Sequence, residues 1–356
     1  MQRIVCCLKR FFRIFALLIT IVFFLSGCEL LHEAEPVEHD ESGLTIYFID
    51  VGQADSTLIV SDGYSMLIDG GNRGDSDLIH SFLKNHNISH LDYIVATHPD
   101  EDHIGGLSGA LSYATASVAL CPVTEHSSSV FGNFVGFLDR QGVQITVPNP
   151  GDMFNLGGSE VEVLGPVGQY NDTNNSSIVM KLTYGATSFL FTGDAERDAE
   201  QDILEAGYDI SATVYHVGHH GSDTSTTYPF LREIMPQYAV ISCGSGNSYG
   251  HPHDDTLSRL RDADVTVYRT DMQGTITCVS DGTTVSFSTE RNTDAVTNPT
   301  QPSVSVDEEY YIGNVKSHKF HRPSCSGLPA EKNRVILETR ETAINGGYDP
   351  CGTCKP

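Results

Sequence analysis

Four side chains of metal-ligating type, His98, Asp100, Asp102 and His103, fall within six residues of one loop, Thr97-His98-Pro99-Asp100-Glu101-Asp102-His103-Ile104-Gly105-Gly106. Imidazole and carboxylate groups suit borderline and hard divalent ions, and a short loop at a strand end can present them to two ions on one side. A second set with different chemistry closes the chain, where His321-x3-Cys325 is followed after 25 residues by Cys351-x2-Cys354. That spacing suits a closed tetrahedral zinc site. So short a terminal segment cannot build a large core, and a structural zinc would supply the missing stability. His318 rivals His321 as the fourth ligand. One disulfide plus a free thiol is the alternative to zinc, although an odd thiol is a liability outside the cell.

The elements that must position these groups read as a mixed α/β body. The loop at His98 follows the strand-like run Tyr93 to Ala96, and the apolar run Leu44 to Val51 reads as the first strand. Further strand-like runs recur at Ser56 to Val60, Ser65 to Ile68, Val161 to Leu164, Ile178 to Leu182, Ser188 to Phe191, Ala212 to Tyr215, Tyr238 to Ser242 and Val265 to Tyr268. Asp77 to His86 and Asp198 to Ala206 carry helical periodicity with acids in the first turn. The expected organisation is a body over 44–288, a Thr-, Asn-, Pro- and Ser-rich linker over 289–309 and a small domain over 310–356. A chain of 356 residues exceeds the size at which single cores stop growing, roughly 250–300 residues.

The N-terminus reads as an address. Basic residues reach Arg13, an apolar run spans Ile14 to Leu25, and Leu25-Ser26-Gly27-Cys28 follows. An acidic tether occupies 28–43. Net charge is −25, and four of the 21 Lys and Arg lie in the first 27 residues, so the rest is more acidic still. Such a body repels a polyanion unless metal ions or a local basic patch reverse the field. The segment 310–356 is weakly basic, with Lys316, Lys319, Arg322, Lys332, Arg334 and Arg340 as candidate phosphate contacts. Cys121, Cys243 and Cys278 stand singly in apolar surroundings and read as buried thiols.

The loop at His98 resembles that of the metallo-β-lactamase superfamily, His-x-His-x-Asp-His before Gly-Gly, with Asp100 replacing the second His. The His-x-Asp-x-Asp-His form is similar to the branch containing ComEC-type DNA-uptake proteins and bacterial phosphorylcholine esterases. Phe48-Ile49-Asp50-Val51-Gly52-Gln53-Ala54-Asp55-Ser56 resembles the opening of the ComEC-type group, and Leu67-Ile68-Asp69-Gly70-Gly71 the superfamily's first Asp motif. Phe191-Thr192-Gly193-Asp194 and Val217-Gly218-His219-His220-Gly221-Ser222 are similar to the bridging-Asp and last-ligand motifs. Where many members place another His, this chain has Asn174-Asn175-Ser176-Ser177. The ending at Cys28 resembles a bacterial lipobox, with an uncleaved anchor as the alternative. The tail resembles the zinc module of the Ada DNA-repair protein.

The resemblance implies an αββα sandwich with a small zinc domain. It implies two divalent ions, Zn or Mn, in the body: His98 and Asp100 on the first, Asp102, His103 and His220 on the second, Asp194 across both, and Asn174 or Asn175 near the vacated ligand position. A structural Zn would sit on His321, Cys325, Cys351 and Cys354. Two such ions activate a shared water for attack on a phosphate ester, with His219 touching phosphate and His251 or His253 helping the leaving group. The expected protein is a membrane-anchored extracytoplasmic lipoprotein that hydrolyses DNA or another phosphodiester polymer. Removal of phosphorylcholine from envelope polymers is the second enzymatic reading, and a non-catalytic DNA-binding uptake factor the alternative of another class. Protein partners are not legible.

Overall fold

The computed structural model describes residues 43–299, 310–323 and 325–356. Cys28, the signal-like segment 1–27, nearly all of the tether and the linker residues 300–309 lie outside the described residues.

Alternation of apolar residues builds the interior. Leu44, Ile46 and Phe48 of the first strand, Leu44–Phe48, are fully buried and face one way. They meet Val161, Met180, Leu182, Phe189 and Phe191 from a second sheet in a core sealed between the two. The first sheet has eight strands, in spatial order Val285–Thr289, Ile276–Ser280, Leu44–Phe48, Thr57–Ser61, Tyr64–Ile68, His90–Val95, Thr115–Leu120 and Ile145–Thr146. The second has seven, from Thr266–Arg269 through Tyr238–Ile241, Val214–His216, Thr187–Phe191, Val179–Tyr184 and Ser159–Gly165 to Met153–Leu156.

Helices cover both outer faces. Ser76–Asn85 inserts Ile79 and Leu83, and Ser129–Gln141 inserts Phe131, Phe134 and Leu138, behind the first sheet. Arg197–Ala206, Tyr228–Ile234 and Asp254–Asp262 pack Ala199, Ile203, Phe230, Leu257 and Leu260 behind the second. The layers are therefore αββα. In each sheet some strands run parallel: Tyr64–Ile68, His90–Val95 and Thr115–Leu120 in one, Thr187–Phe191, Val214–His216 and Tyr238–Ile241 in the other. Loops leaving their C-terminal ends carry Asp69, His98, Asp194, His219 and His251.

The tail forms a four-stranded sheet, Arg334–Leu337, Tyr311–Asn314, Lys319–His321 and Asp349–Pro350, around Phe320, Leu337 and Ala343. Body and tail belong to one compact unit. Two boundary expectations shift. The body does not end at 288, because Thr289 completes a strand paired with Ile276–Ser280. The first linker residues also ride on the body: Arg291 pairs with Asp50, Thr297 Oγ1 donates to the Val267 carbonyl, and Asn298 Nδ2 donates to the Leu257 carbonyl. Their polar composition reads as linker because their partners lie in distant strands and helices. Among the described residues no helix is long and apolar enough to cross a membrane.

Candidate metal centre

One carboxylate holds His103 directly and His98 through its neighbour Thr97. Asp69 accepts from the Thr97 backbone N–H at 2.8 Å, the Thr97 hydroxyl at 2.7 Å and the His103 Nδ1–H at 2.8 Å. With Nδ1 of His103 so engaged, Nε2 is the ring nitrogen turned toward the centre. His98 Nδ1 lies 3.2 Å from Thr97 Oγ1 and 3.3 Å from Ser177 Oγ, so its Nε2 also points inward. The Gly105-Gly106 turn lets the loop press against its neighbour: a Cβ on Gly106 would stand 2.0 Å from the Gly70 carbonyl oxygen.

Asp194 lies between two sets of imidazoles. Its Oδ2 is 4.0 Å from His98 Nε2 and 3.6 Å from His219 Nε2, while its Oδ1 is 3.2 Å from His103 Nε2 and 3.8 Å from His220 Nε2. Asp102 reaches His220 Nε2 at 3.4 Å, and Asp100 lies 3.7 Å from His98 Nε2 while accepting from Thr173 Oγ1. His220 Nδ1 is 3.1 Å from the Ser242 carbonyl oxygen. His219 and His220 both adopt φ +52°, a left-handed conformation that costs energy for a non-glycine residue and persists where the surroundings impose it.

The donor set fits divalent cations on a structural criterion. His98 Nε2, His103 Nε2, His220 Nε2, Asp194 Oδ1 and Asp55 Oδ1 are all buried without a hydrogen-bond partner. Such atoms are rare in folded proteins unless an ion or water satisfies them. His98, His103 and Asp194 form one potential ligand group; Asp102, His103 and His220 a second; Asp55, Asp194 and His220 a third.

Burial and mutual charge set the protonation of these groups. Burial and the His103 charge push His98 down to about 4. Burial also opposes a charge on His103 and His220, but Asp194 with Asp69, and Asp194 with Asp55, outweigh it and raise both well above the usual value. Asp102 is pushed up by burial yet ends at about 2 through the His220 hydrogen bond and the His103 charge. At neutral pH the His98 side is therefore ready to bind a cation, whereas the Asp102, His103 and His220 side must first lose protons. Loading of that side is expected to release protons and to tighten as pH rises. Calorimetric metal titration of the metal-free protein in buffers of different ionisation enthalpy measures this release.

Several residues expected at the site have other partners in the structure. Asn175 accepts the backbone N–H groups of Glu196 and Ala199 on Oδ1 and donates to Asp172, so its amide caps Arg197–Ala206 rather than facing the centre. Asn174, half-buried, donates to Glu196. His253 has both ring nitrogens engaged: Nδ1 accepts from the Asp223 N–H, and Nε2 lies 3.1 Å from the Tyr249 carbonyl oxygen. Among the basic tail residues, Lys319 pairs with Asp223 and Asp255, and Arg340 with Asp262 of the body, so neither projects a free charge for a phosphate. Arg322 and Arg334 donate to the Lys355 and Pro329 carbonyl oxygens.

Other groups at the centre escaped sequence reasoning. Glu196 lies 3.1 Å from His219 Nδ1, His216 lies 3.7 Å from Asp55, and Gln53 orients His251. Gln53 Oε1 accepts from the Gly244 N–H, which turns its NH2 toward His251 Nδ1 and leaves the ring proton on Nε2. His251 stacks against His220 with ring centroids 6.3 Å apart. The Asp50-to-Ser56 motif contained the signal for Gln53 and Asp55.

In the tail, one ligand atom each of His321, Cys325, Cys351 and Cys354 lie within 4.8 Å of one another. His321 Nδ1 is buried without a partner. The Cys325 and Cys351 sulfurs are 4.0 Å apart, too far for a disulfide. His318 instead stacks on Tyr348.

The αββα layers and the imidazole-carboxylate centre at their edge define a metal-dependent hydrolase fold. Residues 49–245 match the metallo-beta-lactamase superfamily, to which this chain belongs. Residues 299–356 match the metal binding domain of Ada. The ComE operon protein 3 of Bacillus subtilis (strain 168) is 32% identical over 248 residues, covering 64% of this chain and 32% of that protein. The competence protein ComA of Neisseria gonorrhoeae is 27% identical over 257 residues, covering 69% and 33%. The chain thus spans about a third of the length of these curated relatives. The solved structure of YhfI, a metallo-beta-lactamase fold protein from Bacillus subtilis, aligns with a TM-score of 0.44 at 12% identity, covering 67% of this chain and 100% of that one.

Proposed function

We propose that this chain is an extracytoplasmic metal-dependent phosphodiesterase whose substrate is DNA. The observation that carries this reading is the buried Asp194, each of whose carboxylate oxygens faces a different pair of imidazoles. His98 and Asp100 would hold one ion, Asp102, His103 and His220 the other, with Asp194 between them. Two divalent ions held there would supply Lewis acidity toward a phosphoryl oxygen and lower the pKa of a water toward neutrality.

The chain's own residues complete the site. Asp69, Thr97 and Ser177 lock the inward tautomers of His98 and His103. His219, about one-fifth exposed, is the group at the rim that reaches a phosphate oxygen. Burial and the neighbouring imidazoles push His251 down to about 4, so at neutral pH it is uncharged and presents its Nε2–H as a hydrogen-bond donor to the leaving group. The competence names of the curated relatives support DNA as the polymer. Lipidation at Cys28 and attachment to a membrane through it rest on the sequence pattern alone.

Incubation of the full chain with plasmid DNA and with a phosphorylcholine ester, each with Mn²⁺, Zn²⁺ or Mg²⁺, tests the reading. DNA cleavage that disappears in Asp102→Ala is the expected result. Turnover of the choline ester alone would replace DNA by an envelope polymer, and DNA retention without cleavage under any metal would reduce the protein to a binding factor.

A further inference from the structure

Docking residues and zinc-type ligands share the same short strands of the tail. Lys319 and His321 lie on one, and Asp349 stands two residues before Cys351 on its parallel neighbour. His321 and Cys351 turn toward the cysteine cluster, while Lys319 and Asp349 turn toward the body. Asp349 is fully buried. It accepts from Arg197 and lies 3.5 Å from Nε of Arg259.

Arg259, also fully buried, is the link to the metal centre. Its Nη1 donates to the Ser225 and Thr226 carbonyl oxygens at 2.6 and 3.2 Å, and its Nη2 to the Asp223 carbonyl oxygen at 3.0 Å. Those carbonyls belong to the segment that directly follows His219-His220-Gly221. Lys319 pairs with Asp223 of that segment and with Asp255 of the helix carrying Arg259. The loop that holds His219 and His220 in a left-handed conformation is thus gripped from behind by residues whose counter-charges come from the tail.

We propose that the zinc module is an intramolecular clamp: by presenting Asp349 and Lys319 to Arg197, Arg259, Asp223 and Asp255, it fixes the loop carrying His219 and His220 and thereby strengthens the hold on the ion bound by His220. The last step rests on the assignment of His220 as a metal ligand under the proposed function; the clamping of the loop does not. The module acts on the body's chemistry from a distance, without touching substrate.

Asp349→Asn in the full chain tests the clamp, because it removes the charge while leaving all four zinc-type ligands. Amide hydrogen exchange across 217–226 should accelerate by about 10-fold or more, with one equivalent of zinc still in the tail. Titration with Mn²⁺ followed by electron paramagnetic resonance should show one of the two sites weakened by about 10-fold. Unchanged exchange in folded Asp349→Asn overturns the proposal. Faster exchange with unchanged Mn²⁺ affinity supports the clamp and removes His220 from the ligand set.

Should Asp349→Asn not fold, the unmodified chain gives the same answer after treatment with methyl methanethiosulfonate. Each tail thiolate takes the methylthio group and releases methanesulfinate, and zinc leaves. Cys121, Cys243 and Cys278 are shielded, since burial pushes all three thiols up. Faster exchange in 217–226 after zinc release supports the clamp; unaltered exchange overturns it.

Discussion

Asp194→Ala is expected to lower kcat/KM for a phosphodiester by at least about 10³-fold, roughly 4 kcal/mol of barrier, and to reduce the metal content of the body. The side chain is almost wholly buried, and among the described residues no other carboxylate stands within 4.0 Å of His98, His103, His219 and His220 together. The same substitution removes the neighbouring charge that most favours protonation of His103 and His220, so both should titrate lower in the metal-free protein. Asp194→Asn, of equal size, separates charge from shape and should lose nearly as much activity. Full metal occupancy and normal turnover in either variant would dismantle the proposed two-ion centre. Histidine NMR titration checks the accompanying shifts.

Arg259→Ala is expected to be the most destabilising single change outside the centre. The guanidinium is fully buried, satisfies three carbonyl oxygens and stands beside the buried Asp349. Truncation leaves that carboxylate with Arg197 alone and strands the carbonyls, a situation that costs roughly 3–5 kcal/mol. That is a large fraction of the 5–15 kcal/mol (roughly) that holds a typical domain together. Arg259→Lys keeps a charge but replaces the planar fork by a single ammonium, so it should recover only part of the loss. Denaturant midpoints of the zinc-loaded proteins measure both; a midpoint within experimental error of the parent for Arg259→Ala would mean that the network contributes little.

The clustering of the centre's side chains was legible because they sit in short local patterns. His98, Asp102 and His103 share one loop, and Asp194 and His220 each follow a strand whose alternation is visible in the chain. The inward face of Leu44–Phe48 and the helix Ser76–Asn85 were equally open to periodicity arguments. Asn174 and Asn175 could not be told apart, because adjacent residues on a turn point in different directions and only the placement of Arg197–Ala206 shows which amide caps it. His253 and His251 looked alike for the same reason: a backbone N–H from Asp223 engages one, and a Gln53 side chain nearly two hundred positions away orients the other.

The sequence by itself determined the imidazole and carboxylate types available at the centre, the order of the motifs, the layered α/β architecture and the cysteine-histidine set of the tail, since each depends on residue type and near-neighbour spacing. Only the tertiary structure decided where charges end. Lys319 and Arg340 read as a basic surface along the chain, yet they meet Asp223, Asp255 and Asp262 when the tail folds against the body. Ion pairs and buried hydrogen bonds depend on distances of a few ångströms between groups far apart in the chain, and packing alone sets those distances.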